Sequence, residues 1–225
     1  MCDDTSRKDH PTFIQQFCKS HGYEYHCIAR PGATNFAIRL QIDYAIKKKP
    51  DLIIVGATSS DRINIVMDPT GWRSPVKINH IQYQGYLCSS DSEFDNREAF
   101  IVSDTLANVL ESRYIEVSEE KRAAVKHYMT DLHDMGLQYN IDGCVIRDGL
   151  HKLQASGIPF VFMPGPMFYM GWSWLGDNLW PTDKKQPWDL PLTPYNINNH
   201  NPPEAHSMFL ETLEQIVFDR KLLKK

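Results

Sequence analysis

Leu52-Ile53-Ile54-Val55-Gly56-Ala57 is the stretch whose reading decides the fold. It is short, β-branched and apolar on both faces, the composition of a central parallel strand buried between two helix layers. Upstream of it, Phe36, Leu40 and Tyr44, together with Ile38, Ile42 and Ile46, recur at helical spacing, so a helix is predicted over about 36–48. That helix closes on Lys47-Lys48-Lys49-Pro50, where cations suit the C-terminal dipole and the proline forbids continuation. Arg30-Pro31-Gly32-Ala33-Thr34-Asn35 reads as a turn, with Thr34 or Asn35 capping the helix. Tyr23 to Ala29 alternates through Tyr25, Cys27 and Ile28 and predicts a strand; strand, helix and strand in this order make a right-handed β-α-β unit. Further upstream, Pro11 suits a first helical turn, Phe13, Ile14, Phe17 and Cys18 form an apolar stripe, and Gly22 ends it, so a helix is predicted over 11–21.

Downstream, 61–96 is irregular and reads as an insertion with a hairpin around 78–87. Helical periodicity is expected at about 97–112 and again over 119–154, with a break near Gly136. Ile158-Pro159-Phe160-Val161-Phe162-Met163 is a second buried strand, followed by a long loop to about 194 and a last helix over 202–219. The order predicts one α/β domain over 1–225: a doubly wound, mostly parallel, flavodoxin-like sheet flanked by helices. Ligand chemistry is then expected beyond the carboxyl ends of the strands.

Composition narrows the function. The 225 residues carry Lys+Arg 24 against Asp+Glu 28, a net charge of −4, and are 42% hydrophobic. That is enough apolar material for a core and too much for intrinsic disorder. The mildly acidic balance argues against nucleic acid as a partner, a role that needs a concentrated basic surface. No apolar run approaches the roughly 18 residues of a membrane span. The opening, MCDDTSRKDH, lacks the apolar segment of a signal peptide. Cys2, Cys18, Cys27, Cys88 and Cys144 are odd in number and widely spaced, with no C-x-x-C pair, which suits a reducing cytoplasm rather than a disulfide framework. With no H-E-x-x-H and no carboxylate cluster, neither a metal nor another cofactor is expected.

Four polar segments, one at the N-terminus and three that follow strands or precede the last helix, carry a resemblance. Asp3-Asp4-Thr5, Gly32 within Pro31-Gly32-Ala33-Thr34-Asn35, Gly56-Ala57-Thr58-Ser59, and Asn198-Asn199-His200 occur in the order of the motif blocks of the SGNH (GDSL-type) hydrolase superfamily. The chain resembles in particular the short members found in tailed-phage genomes. The resemblance implies an ester hydrolase in which Thr5, or Ser6 beside it, is the nucleophile and His200 the general base. Gly32 through its N–H, and Thr58 or Ser59 through a hydroxyl, would serve the oxyanion. Asp4, Asn35, Ser59, Arg62, Trp172 and Trp174 would contact a small-molecule or carbohydrate ester.

The departures from the family pattern are specific. Thr5 adds a methyl group where the family has serine, which crowds attack. Thr58 stands where asparagine is expected, and loss of one oxyanion donor typically costs about 10²–10³ in rate. Ile197 occupies the place of the aspartate three residues before His200; Asn198 or Asn199 can orient an imidazole but cannot stabilise an imidazolium as a carboxylate does. The family also forms a strand before its nucleophile, for which this sequence has no residues: either its start is truncated relative to a longer product, or the sheet lacks that strand.

Each residue also has a plainer role. Asp4 suits a cap for the first helix, Gly32 suits any turn, and Thr58, Ser59 and Ser60 suit a solvated connection. Arg62 is either an anion binder or a surface partner of Asp61. His206 reads as a helix-face residue. Four of the five tryptophans, Trp172, Trp174, Trp180 and Trp188, lie at 163–194. They form a lid or groove for a ligand, pack the loop onto the sheet edge, or present an interface to a protein partner. The rival to the hydrolase is therefore a catalytically degenerate relative that binds a ligand or protein, such as a phage accessory protein.

Overall fold

The computed structural model describes residues 11–29, 33–60, 62–66, 76–78, 81–83, 101–105, 119–181, 183–184 and 203–223. Its contacts divide the chain into two compact units. One takes in the described parts of Met1–Cys27, Tyr44–Ala57 and His151–Lys225; the other takes in those of Ile28–Asp43 and Thr58–Leu150.

The first unit is organised by the apolar stretch at 52–57. Strand β1, Ile53–Gly56, pairs in parallel with β6, Phe160–Met163, in the register Ile53↔Phe160 through Gly56↔Met163. All four β6 residues are buried, as expected of a strand with no polar face. Helix α1, Phe13–His21, packs with the last helix, α5, Pro203–Asp219, around one core: Phe13, Phe17, Val161, Met163, Trp180, Phe209 and Leu213. Phe13 meets Phe209 edge-on at 5.6 Å, and Phe17 stacks on Phe218 at 6.0 Å. Helix α1 begins at Phe13, not at Pro11, because Thr12 builds a capping box: Thr12 Oγ1 accepts from the Gln15 N–H while Gln15 Oε1 accepts from the Thr12 N–H. Gly22, at φ 73°, closes it in the left-handed conformation only glycine adopts freely.

Residues 23–29 depart from the expected strand. Their exposure alternates, with Tyr23, Tyr25 and Cys27 half-buried and Glu24 and His26 exposed, yet they form no strand. Period-two burial marks a half-covered backbone; a strand also needs a ladder, and here Tyr23 stacks on Phe17 at 5.9 Å instead. The β-α-β unit expected on that strand is therefore replaced by the pairing of β1 with β6.

In the second unit lie the first nine residues of helix α2, Asn35–Lys48, which Thr34 caps by accepting from the Ala37 N–H at 3.1 Å. Strand β2, Arg62–Val66, pairs antiparallel with β5, Ile101–Thr105, and β3, Val76–Ile78, forms a hairpin ladder with β4, Ile81–Tyr83. The helix expected over 97–112 is thus a strand at 101–105. Ile101, Val102 and Thr105 are β-branched, and ladder bonds to β2 outweigh a weak helical period. Helix α3, Glu119–His127, runs into a π-helical turn, Tyr128–Leu132. The break then falls at His133 and Asp134, where Asp134 Oδ1 accepts from the Leu137 N–H to cap α4, Met135–Ser156. The described elements therefore mix helices with one parallel and two antiparallel two-stranded sheets, a mixed α/β architecture. Among the described residues no helix is long and apolar enough to cross a membrane.

Within this unit α2 and α4 approach closely at Gly149, where a Cβ would lie 2.8 Å from both Arg39 Cδ and Ile42 Cδ1. Arg39 cannot swing aside, since its Nε donates to Asp148 Oδ2 at 2.5 Å and its Nη1 lies 2.7 Å from Asp43 Oδ2. Burial disfavours the charged guanidinium, but contact with both carboxylates outweighs it and raises its pKa.

Two stability predictions follow from this packing. Phe209→Ala opens a cavity in the first unit and costs about 3–5 kcal/mol in urea unfolding. Gly149→Ala gains about 1 kcal/mol of helix propensity but loses more to overpacking, typically about 1–3 kcal/mol, so its urea midpoint falls.

Candidate functional site

β1 ends at Gly56, and the Ala57 N–H still donates to Met163 O at 3.0 Å. The next residue, Thr58, begins the segment expected to carry chemistry, and one side chain governs its backbone. Asn35, the first residue of α2, donates from Nδ2 to Thr58 O at 3.0 Å, while its Oδ1 accepts from the Thr58 N–H at 2.9 Å. The carboxamide thus pairs with Thr58 as a second peptide group would. Its other amide hydrogen goes to Asp142 Oδ2 at 2.9 Å, and Asp142 Oδ1 accepts from Gln138 Nε2 at 2.8 Å, one turn earlier on α4. Only this amide orientation works, because the reverse would set Asn35 Oδ1 against two acceptors.

The network is buried, with Asn35 fully enclosed and Thr58 at 3% exposure. A buried carboxylate is tolerated when hydrogen bonds satisfy it, and Asp142 receives two. Asn35 is accordingly fully engaged, its carboxamide spent on the Thr58 peptide and on Asp142. Ser59 is half-buried, and Ser60 is buried again at 4%. Neither Thr58 Oγ1 nor Ser60 Oγ has a hydrogen-bond partner among the described residues.

The aromatic loop divides by role. Trp172 is buried, donates from its indole N–H to Met167 O at 2.7 Å and meets Phe162 edge-on at 4.9 Å. Trp180 is buried in the core, its backbone N–H donates to Phe162 O at 2.9 Å, and Leu179 forms a bridge with Phe162. The loop thereby lies along β6. Arg220, just past α5, holds it there by donating from Nη1 to Asp177 O at 2.6 Å and Leu179 O at 2.7 Å. Trp174 remains 37% exposed and stacks on His151 at 4.5 Å; Tyr169 is 79% exposed.

Of the other candidates, Asp4, Thr5, Gly32 and His200 lie outside the described residues. Arg62 is described only as the first residue of β2, opposite Thr105. His206 is buried on α5 and accepts the Phe13 N–H at its Nδ1, satisfying a donor at the start of α1. Among the described residues no three His, Cys, Asp or Glu side chains gather to hold a metal. The structure therefore unites Asn35 with Thr58 and adds Asp142 and Gln138, which reading the sequence missed. Their only signal was an i, i+4 polar pair on a helix otherwise read for its apolar period. No protein-family model, no curated protein and no solved structure matches this chain.

Asn35→Ala strands the Thr58 peptide and removes a donor from Asp142, so it should cost about 2–4 kcal/mol in denaturant unfolding. Asn35→Asp should be worse at neutral pH, because it sets a second carboxylate against Asp142, and should recover partly as acid protonates one of the pair. Parallel chemical melts at pH 7 and pH 4 test the sign.

Proposed function

We propose that this chain is a divergent SGNH-type hydrolase, with the family's doubly wound, flavodoxin-like sheet, acting on an acyl or carbohydrate ester. The observation that carries the reading is Thr58. It lies two residues beyond a parallel strand, its backbone is clamped at both N–H and C=O, and its hydroxyl is unengaged among the described residues. A donor held before the reaction needs no reorganisation when charge develops, which is how an oxyanion site accelerates acyl transfer.

In this mechanism Thr5 Oγ1 attacks the ester carbonyl carbon as His200 takes its proton. The oxyanion receives hydrogen bonds from the Gly32 N–H and the Thr58 hydroxyl. Its collapse expels the alkoxide, which the His200 imidazolium protonates to the alcohol, and water activated by the same imidazole releases the acid and restores Thr5. With asparagines in place of an aspartate beside His200, turnover is slow by the standards of the family.

A second reading, a non-catalytic relative that binds a ligand or protein partner, draws on the exposed aromatic faces of Trp174 and Tyr169. Turnover of p-nitrophenyl acetate separates the two. The hydrolase reading expects His200→Ala and Thr5→Ala to fall to the buffer rate and Thr58→Val to lose about 10²-fold in kcat. Equal rates for wild type and His200→Ala would transfer the site to the binding reading.

A further inference from the structure

His133 and Met135 meet on the surface of the second unit, at the join between the π-helical turn and α4. The turn, Tyr128–Leu132, ends with the His133 N–H donating to Tyr128 O at 2.8 Å, and His133 is extended, at φ −79° and ψ 124°. Turns of this kind are rare and recur at functional sites. The imidazole packs at a tilt against the Tyr128 ring, with centroids 5.7 Å apart, and its Nε2 lies 3.1 Å from Met135 Sδ. Both groups can be reached from solvent: His133 is half-buried and Met135 is 47% exposed. Methionine usually fills gaps in a core, and a thioether is a weak hydrogen-bond acceptor, so this contact adds little to the fold. Its geometry also suits coordination. Bonds of about 2.0 Å to imidazole nitrogen and about 2.3 Å to sulfur set two ligands of one ion about 3.1 Å apart at a right angle.

We infer that His133 Nε2 and Met135 Sδ are two ligands of a surface site for the soft cation Cu(I). Imidazole serves zinc and copper alike, so the thioether decides between them, and soft sulfur of this kind selects Cu(I). A structural Zn(II) site calls for four ligands, mostly thiolate, imidazole or carboxylate. Among the described residues no three His, Cys, Asp or Glu side chains gather to supply them. Cu(I), with a filled d shell, accepts fewer. On binding, the ion takes the Nε2 lone pair, the ring proton resides on Nδ1, and the N–H···S contact gives way to an N–Cu–S angle with no change of oxidation state. Tyr128 holds the imidazole in place, while the flexible chain of Met135 can widen that angle. The inference is independent of the hydrolase reading, which uses neither residue.

The probe is Ag(I), a redox-inert stand-in for Cu(I), titrated into full-length protein in chloride-free buffer. Thiolates would compete for it, so accessible cysteines, the exposed Cys144 among them, are first blocked with N-ethylmaleimide. The protein carries ¹³C-methyl methionine and ¹⁵N-histidine, and the Met135 and His133 signals are identified by their loss in Met135→Leu and His133→Ala. The Met135 methyl and the His133 Nε2 resonance should shift together and saturate at one silver concentration. Loss of an outer-shell partner alone typically costs about 10–100-fold in metal affinity, so removal of a ligand should weaken binding at least about ten-fold. In His133→Ala the Met135 methyl should therefore need at least that much more silver, and in Met135→Leu the His133 Nε2 should do the same. Both substitutions fall on the surface, and unmoved signals from the other methionine methyls confirm that the variants are folded. Zn(II) at the same concentration should leave the Met135 methyl where it is. No saturable shift, a Met135 shift unaltered in His133→Ala, or a Zn(II) shift at Met135 equal to that of silver would each overturn the inference.

Discussion

The pairing of β1 with β6 is the constraint on which the first unit depends. Ile53–Gly56 and Phe160–Met163 are each four residues long, apolar on both faces and far apart in sequence. A two-stranded sheet is marginal by itself and persists only when its faces are covered. Val161 and Met163 from β6 accordingly enter the same core as Phe13, Phe17 and Phe209 from α1 and α5. Leu179 and Trp180 lie along β6 and limit the exposure of its edge, a common protection against unwanted strand pairing. Because the last ladder bond is Ala57 N–H to Met163 O, the same pairing sets where the chain is released and where Thr58 begins.

Beyond that point the backbone is governed by a side chain. Asn35 is suited to the task because a carboxamide offers a donor and an acceptor in the geometry of a peptide group, with one further hydrogen for Asp142. Aspartate in its place would lack the donors, and leucine would lack both donors and acceptor. A fully satisfied buried network of this kind rigidifies what it touches. The contrast with Thr58 Oγ1 and Ser60 Oγ is then informative: within a few residues, one set of polar atoms is completely paired and another is not.

Legibility followed physical range. β1, β6, α1, α2 and α5 could be read because burial on both faces, or a 3.6-residue period with caps, is written in adjacent residues. The segment 101–105 could not be read in that way, since its strand exists through pairing with 62–66. Residues 23–29 show the converse, a correct period without a ladder. On α2 the apolar period suggested Phe36 as a core residue, yet Phe36 is exposed and Arg39 is buried, because Asp43 and Asp148 compensate its charge. Asn35 was recognisable as a polar residue at the start of a helix, and Thr58 as one just after a strand. Their roles were not, because Asp142 and Gln138, more than a helix away in sequence, decide what the carboxamide does.

By itself, then, the sequence determined the places of its strongest local signals: two wholly apolar strands and three capped or periodic helices. Tertiary structure alone decided which strand pairs with which, which charged residue enters the interior, and that Asn35 pairs with the Thr58 peptide. The reason is physical. Propensity, capping and periodicity act between neighbours, whereas a ladder, an ion pair or a hydrogen-bonded carboxamide needs a partner that only the folded chain brings within 3 Å.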